Sequence, residues 1–300
     1  MLVFSHDAGG AEIISAWARE QCDHDLDYCL AGPALDVFSR KIAPLSALPI
    51  ERALGEIVNY DCILTGSSWP SDYERQAILA AKEQKVPVTT YLDHWVGYRE
   101  RLTLRGELQL PDELWVGDKY ALELARRVFP DHPVRLQPNR YFSQMADEIA
   151  MLSGSAARPG DGCRVLYLAE PMSNPSTGIE TLDNGQPRYL QYSEFDALEG
   201  YLSFLRAGTS AIDSIRIRRH PSEPRGKYVS AAREFAPDFS IEVDVDTTLQ
   251  EDCAWADWVV GCQTMALVIA LHAGKTVFSC IPPGGAPLTI PYPEIRRVFH

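Results

Sequence analysis

The sequence predicts an α/β protein built as two parallel-sheet domains. Three observations carry this reading. Short apolar, β-rich runs alternate with amphipathic stretches; a Gly-, Ser-, Ala- and Pro-rich segment interrupts the alternation near mid-chain; and the alternation then starts again. The 300 residues, 46% of them hydrophobic, are enough for two ordinary cores.

In the first half the order is LVFSH then AEIISAWARE, DYCLAG then PALDVFSRKI, DCILTGS then SDYERQAILAAKEQK, VPVTTYLD, and ELWVGD then KYALELARRVF. Alternation at this spacing implies βαβ units. The segment SGSAARPGDG, residues 153 to 162, has no apolar periodicity and reads as the linker, giving domains at 1–152 and 163–300. The second half resumes with CRVLYLAE, YSEFDALEGYLSFLRAG, SIRIRRH, KYVSAAREFA, FSIEVDV, LQEDCAWA, DWVVGC, TMALVIALHAG and TVFSCI. Two Rossmann-like halves are expected, their loop edges facing across a cleft. Ligands in such sheets sit beyond the carboxyl ends of the strands, so the informative residues should follow strands.

Composition excludes several classes. A formal charge of −13 opposes nucleic-acid binding. Against it, RIRRHPSEPRGK concentrates five cations around His220 and suggests a local anion site. No run is long and apolar enough for a span and the N-terminus lacks a signal-peptide pattern, which leaves peripheral association as the one membrane mode open. The seven cysteines are odd in number, scattered and without a CxxC pair, so they read as reduced core residues of a cytoplasmic protein with no metal site.

The sharpest segment is ADWVVGCQTMALVIALHAGKTVFSCIPP, read as strand, Gly turn, helix and strand. Gly261 is expected to permit the tight turn, while Gln263 and Thr264 cap the helix and present donors to an anionic ligand. In RIRRHPSE, strand alternation turns Ile215 and Ile217 to one face and Arg216 and Arg218 to the other. Pro221 then ends the strand and leaves His220, with Arg219, at the carboxyl edge. Asp246, at the end of FSIEVDVD, is either a carboxylate for ribose hydroxyls or, with Thr247, a helix cap.

The first half offers three loops on one edge. In SHDAGGAE, His6 and Asp7 end the strand, Gly9 and Gly10 form a turn open to close ligand approach, and Ala11 begins a helix. In TGSSW, Ser67 and Ser68 either bond sugar hydroxyls or cap the next helix. In LDHWVG, Asp93 and His94 beside Trp95 suit a carbohydrate or form a structural Asp–His pair. The long polar loop AEPMSNPSTGIETLDNG brings Glu170 and Ser173 toward the same cleft.

The Gly-Cys-Gln-Thr helix start resembles the nucleotide-sugar signature of GT-B glycosyltransferases and related epimerases, with Thr276 where proline is common. His220-Pro221 resembles the donor-phosphate motif of bacterial sialyltransferases and Kdo-transferring enzymes, and Thr264 follows about one βαβα unit later, as in those families. The Asp93 loop is similar to their acidic catalytic loop in one acid only. The resemblance implies a metal-independent glycosyltransferase with no cofactor, moving a CMP-activated nonulosonate or Kdo to a glycan acceptor in surface polysaccharide synthesis. Asp93, ahead of Asp7, is then the base, and His220 serves the leaving nucleotide. A nucleotide-sugar 2-epimerase or hydrolase of the same architecture, or a UDP-hexose transferase, is the alternative.

Overall fold

A computed structural model describes residues 1–21, 25–153, 162–172, 179–181, 187–189 and 192–299. The chain forms two compact units, the first spanning Met1–Tyr141 and the second beginning at Phe142.

The first unit contains β1 (Leu2–Ser5), α1 (Ala8–Ala18), β2 (Asp27–Leu30), α2 (Pro33–Lys41), α3 (Ile50–Glu56), β3 (Ile63–Thr65), α4 (Tyr73–Glu83) and β4 (Val88–Leu92). It continues with α5 (Tyr98–Arg101), a small hairpin of β5 (Thr103–Leu104) and β6 (Glu107–Leu108), then β7 (Glu113–Val116), α6 (Lys119–Val128) and β8 (Val134–Leu136). The main sheet runs β2-β1-β3-β4-β7-β8 and every pairing in it is parallel. Its central strands are buried on both faces because helices cover both sides, as β1 shows with all four residues buried. Val3, Leu64 and Tyr91 pack against Ile14, Trp17 and Phe38 of α1 and α2. Each such large side chain contributes roughly 1.5–3 kcal/mol when removed from water.

The second unit takes up α7 (Arg140–Ser153) from Phe142 onward, then β9 (Cys163–Leu168), a hairpin of β10 (Ile179–Thr181) and β11 (Pro187–Tyr189), α8 (Glu194–Ala207) and β12 (Ile212–Arg218). It closes with α9 (Val229–Phe235), β13 (Ile241–Val243), α10 (Leu249–Trp255), β14 (Trp258–Gly261), α11 (Met265–His272), β15 (Thr276–Ser279) and β16 (Arg296–Arg297). The sheet order is β13-β12-β9-β14-β15-β16, again parallel throughout. Val165, Tyr167, Ile215, Ile217 and Val260 form its core with Leu198, Tyr201 and Leu202 of α8 and Phe235 of α9.

Local chemistry sets the helix starts. Asp7 caps α1 by accepting the Gly10 N–H, and Asp118 caps α6 through the Ala121 N–H. Ser193 with Asp196 and Thr248 with Glu251 form reciprocal capping boxes on α8 and α10. Because Asp7 caps α1, the helix begins at Ala8, and Gly9 and Gly10 lie in its first turn instead of forming a separate turn before Ala11. The expected linker 153–162 falls mostly on residues 154–161, outside the described residues, so its placement stays a proposal. Among the described residues no helix is long and apolar enough to cross a membrane, and the cysteines are free thiols.

Candidate functional site

Both sheets reverse their strand order beside their first strand, at β1/β3 in the first unit and at β9/β14 in the second. The loops after those strands mark the ligand crevice of open parallel sheets.

In the first unit, the loops after β1, β3 and β4 bring together Asp7, Ser67, Ser68 and Asp93. Ser67 Oγ donates to Asp93 Oδ1 at 2.9 Å, and Arg101 Nη1 reaches the same oxygen at 3.2 Å while also donating to the Ser67 carbonyl at 2.7 Å. The Asp93 and Arg101 side chains are 7% and 8% exposed, so this is a buried, hydrogen-bonded ion pair. Gly9 is required here: a Cβ at that position would stand 2.8 Å from Asp93 Oδ2, and one on Gly10 3.1 Å from Asp7 Oδ1. The glycines thus let α1 approach the acids closely, a different use from the open turn their sequence suggests.

Glu74 on α4 joins this group. Its residue is 2% exposed, Oε1 accepts the His6 N–H at 2.8 Å, and Oε2 has no partner among the described residues. Burial, reinforced by the Asp7 charge, raises its carboxyl to about 8. Burial, then the neighbouring Asp93, raises Asp7 to about 6, against the Gly10 hydrogen bond and Arg101. His94 moves the other way: burial and then Arg101 lower its imidazole to about 4, so it is neutral at ordinary pH despite Asp93.

The other loop residues divide. The buried hydroxyl of Ser68 has no partner among the described residues, and neither Ser67 nor Ser68 caps α4, which Asp72 precedes. His6 presses its ring on Gly32, where φ is +52° and a Cβ would lie 2.9 Å from Nε2. Trp95 is buried, and its Nε1 donates to the Asp118 cap at 2.9 Å. Arg75 holds the whole edge by donating to the carbonyls of Ser68, Ser71, Glu100 and Arg101.

In the second unit, the turn between β14 and α11 follows the expected cap but not the expected glycine role. Thr264 is the N-cap and its hydroxyl accepts the Ala266 N–H. Gly261 closes β14 without a positive φ; it is small because a Cβ would meet the Leu168 carbonyl of β9 at 3.1 Å. The Gln263 side chain is anchored, its Oε1 accepting both the N–H and the hydroxyl of Thr289. Glu170 does not project into open space: Oε1 accepts the Cys262 N–H at 2.7 Å and the Gln263 N–H at 2.9 Å, which ties β9 to the turn across the strand-order reversal. Ser173 lies outside the described residues.

His220 is exposed at the end of β12. Its Nδ1 accepts the Ser222 N–H at 3.2 Å and lies 2.7 Å from Ser222 Oγ. A nitrogen that accepts from a backbone amide carries no proton, so the neutral ring holds its hydrogen on Nε2. Burial lowers the imidazole below its ordinary value, with Glu223 opposing, and so favours that neutral form. Beside it, a cavity of about 450 Å³ is lined by Arg216, Arg218, Arg219, Arg225, Asp244 and Asp246, among others. Its cations are matched by acids. Arg216 and Arg218 clamp the two oxygens of buried Asp252 at 2.8 and 2.7 Å, Arg219 pairs with Asp244, and Arg225 pairs with Asp246. Asp246 is three residues past the end of β13 with its side chain 84% exposed, and the α10 cap is Thr248, neither Asp246 nor Thr247. Among the described residues no group of three His, Cys, Asp or Glu side chains could hold a metal ion.

Sequence reasoning missed Glu74, Arg75 and Arg101, although Glu74 and Arg75 share the motif SDYERQ directly after the Ser67 loop.

No family model matches the chain, and no curated protein matches it. Solved structures are similar in fold. A UDP-GlcNAc 2-epimerase from Methanocaldococcus jannaschii matches at 12% identity over 93% of this chain and 82% of its own, with a TM-score of 0.59. The UDP-GlcNAc 2-epimerase from Neisseria meningitidis, solved with UDP-GlcNAc bound, matches at 14% identity over 93% and 81%, TM-score 0.58. MurG from Acinetobacter baumannii matches at 11% identity over 98% and 80%, TM-score 0.55. These are not the sialyltransferase- and Kdo-transferase-type enzymes that His220-Pro221 resembles, and they leave the expectation of a CMP donor without support. What the chain has is the pair of Rossmann-like units of the GT-B-like fold that these solved structures share.

Proposed function

We propose that the protein is an enzyme acting on a nucleotide-activated sugar, with the nucleotide assigned to the second unit and acid–base chemistry to the first. The observation that carries this reading is the divergence of two neighbouring carboxyls: Asp7, raised to about 6, is ionised at neutral pH, while Glu74, raised to about 8, keeps its proton. A pair pushed apart in this way supplies a base and a proton-holding partner in one place. That composition suits epimerisation at C2 of a UDP-sugar, which begins when a base takes the C2 proton; the buried, proton-holding Glu74 beside Asp7 tunes that base. Asp7 is the base in this reading. Asp93 is less suited, because Ser67 and Arg101 already occupy its Oδ1 in a buried, hydrogen-bonded ion pair.

Transfer of a CMP-activated nonulosonate or Kdo to a glycan acceptor is the second reading. The His220-Pro221 turn favours it, because an Nε2–H donor beside clustered arginines fits the leaving phosphate. Neither reading calls on a metal, so turnover is expected to survive EDTA unchanged.

The deciding experiment begins with thermal shifts for UDP, CMP, GDP and CDP, since a ligand bound only by the folded state raises its stability. UDP-GlcNAc is then incubated with the protein in D2O and no acceptor. Deuterium at C2 together with a C2 epimer supports the first reading; CMP-sugar consumption that appears only with a glycan acceptor moves the assignment to the second. If no nucleotide shifts the melting temperature, both are wrong.

A further inference from the structure

Glu223 lies three residues past His220 and outside every role assigned so far. Its side chain is 3% exposed and both carboxylate oxygens are engaged. Oε2 accepts the His220 N–H at 2.9 Å, and Oε1 accepts the Tyr228 hydroxyl at 2.7 Å and Lys227 Nζ at 2.8 Å. The turn is closed from the other side as well, since the Glu223 N–H donates to the His220 carbonyl at 2.9 Å and Arg219 donates to the Glu223 carbonyl at 2.6 Å. Lys227 is shared with buried Glu194, the first residue of α8. A surface histidine is therefore attached, through one backbone bond, to a buried charge network that spans the β12–α9 loop and α8.

A buried, multiply bonded carboxylate is a costly device for shaping an exposed turn, and its charge-assisted bond holds the His220 backbone more tightly than a neutral bond would. We propose that Glu223 is the positioning residue of His220: it fixes the backbone from which the ring presents Nε2–H to the donor phosphate. The phosphate role of His220 rests on the nucleotide-sugar reading above; the positioning of the ring does not.

Glu223→Gln tests this directly. An amide has one oxygen, and Lys227 with Tyr228 presents two donors on the inner side, so the oxygen turns inward and the NH2 group meets the His220 N–H, donor against donor. Glu223→Asp is the second variant: it keeps the charge for Lys227, and hence the fold, but is too short to reach both sides. Tyr228→Phe removes the 2.7 Å bond to the oxygen that does not face His220.

UDP and CMP, each alone, are titrated into the full-length protein and its variants. Glu223→Gln and Glu223→Asp are expected to weaken the better-bound nucleotide by about tenfold, comparable to His220→Ala and to the loss of one charge-assisted hydrogen bond. Tyr228→Phe is expected to lower the melting temperature while leaving affinity within about twofold. Imidazole 15N NMR is read in parallel, with wild type showing the Nε2–H tautomer and both Glu223 variants a changed tautomer ratio. If His220→Ala loses affinity but both Glu223 variants retain it, the proposal is overturned and Glu223 only supports the fold. If His220→Ala itself retains affinity, the phosphate reading has failed, and the NMR alone decides: an unchanged tautomer ratio in both Glu223 variants overturns the positioning role, and a changed one sustains it.

Discussion

Asp7, Asp93 and Glu74 are three carboxyl groups of one small region that the fold puts into three different states. Asp93 is fixed by an arginine, Asp7 caps a helix while crowded by another acid, and Glu74 is buried with one oxygen unpartnered. Asp7→Asn retains the cap, because asparagine caps as well as aspartate, so its effect isolates the loss of a base. Turnover is expected to fall by roughly 10² or more with little change in nucleotide affinity, and to fall less in Asp93→Asn; equal activity of Asp7→Asn and wild type would remove the base assignment. The rate of the wild type should rise with pH through about 6 as Asp7 ionises and fall near 8 as Glu74 loses its proton. The same shift has a stability consequence. Glu74 is raised in the folded state, so its contribution is fully present below its ordinary value of 4.5 and is lost as pH rises through about 8. Glu74→Gln, which mimics the protonated form, is expected to flatten the decline in denaturant stability across that window, and an unaltered slope would assign the decline elsewhere. Asp7 and Asp93 were visible in the sequence because they follow apolar strands. Glu74 and Arg101 were not: a charged residue in an amphipathic helical stretch reads as solvated, and only the packing of α4 onto the sheet shows that Glu74 is enclosed.

Among the elements, β12 shows how a strand can carry a site on one face and a core on the other. Ile215 and Ile217 are fully buried against α8 and α9, while Arg216 and Arg218 reach across to Asp252 of α10, whose Oδ1 also accepts the Thr247 hydroxyl. Arg216 additionally lies over the Trp255 ring at 4.2 Å. Removing the central acid leaves Arg218 without its carboxylate and Arg216 with only its bonds to the half-exposed Glu242. Asp252→Ala is therefore expected to lower unfolding free energy by about 3 kcal/mol. Urea denaturation reads this directly, and a loss confined to a few tenths would mean that the existing bonds of Arg216 to Glu242 and of Arg218 to the Thr247 carbonyl suffice. The alternation of β12 was legible from RIRRH alone, as were the type and order of the main strands and helices, because period and turn chemistry are local properties. Boundaries and glycine roles were not. They depend on which side chain reaches a cap, as at Asp7 and Thr248, and on how close two backbones come, as at Gly261 and Leu168, and neither distance is written in a local pattern.

At the scale of the whole molecule, the two units repeat one plan, a six-stranded parallel sheet reversing beside its first strand, but dress that plan differently. The first unit places three acids and two half-enclosed histidines on its carboxyl edge. The second places an arginine-lined cavity, a neutral histidine and a capped helix start there. The duplication was readable in the repeated alternation of runs, whereas the pairing of every cavity arginine with an acid was not, since partners such as Arg218 and Asp252 lie on different elements. This division of chemistry predicts a division of response. Hydrogen exchange with a saturating nucleotide that lacks its sugar should slow amides of the second unit, in the His220–Lys227 turn and at Cys262–Ala266, because backbone groups there gain a ligand or are held by one. The His6–Gly10 segment and the Ser67 and Asp93 loops should exchange as in the free protein, since no nucleotide group is assigned to them. Protection that appears first around Asp7 and Asp93, with the His220 turn unaffected, would invert the assignment of nucleotide and acid–base roles between the two units.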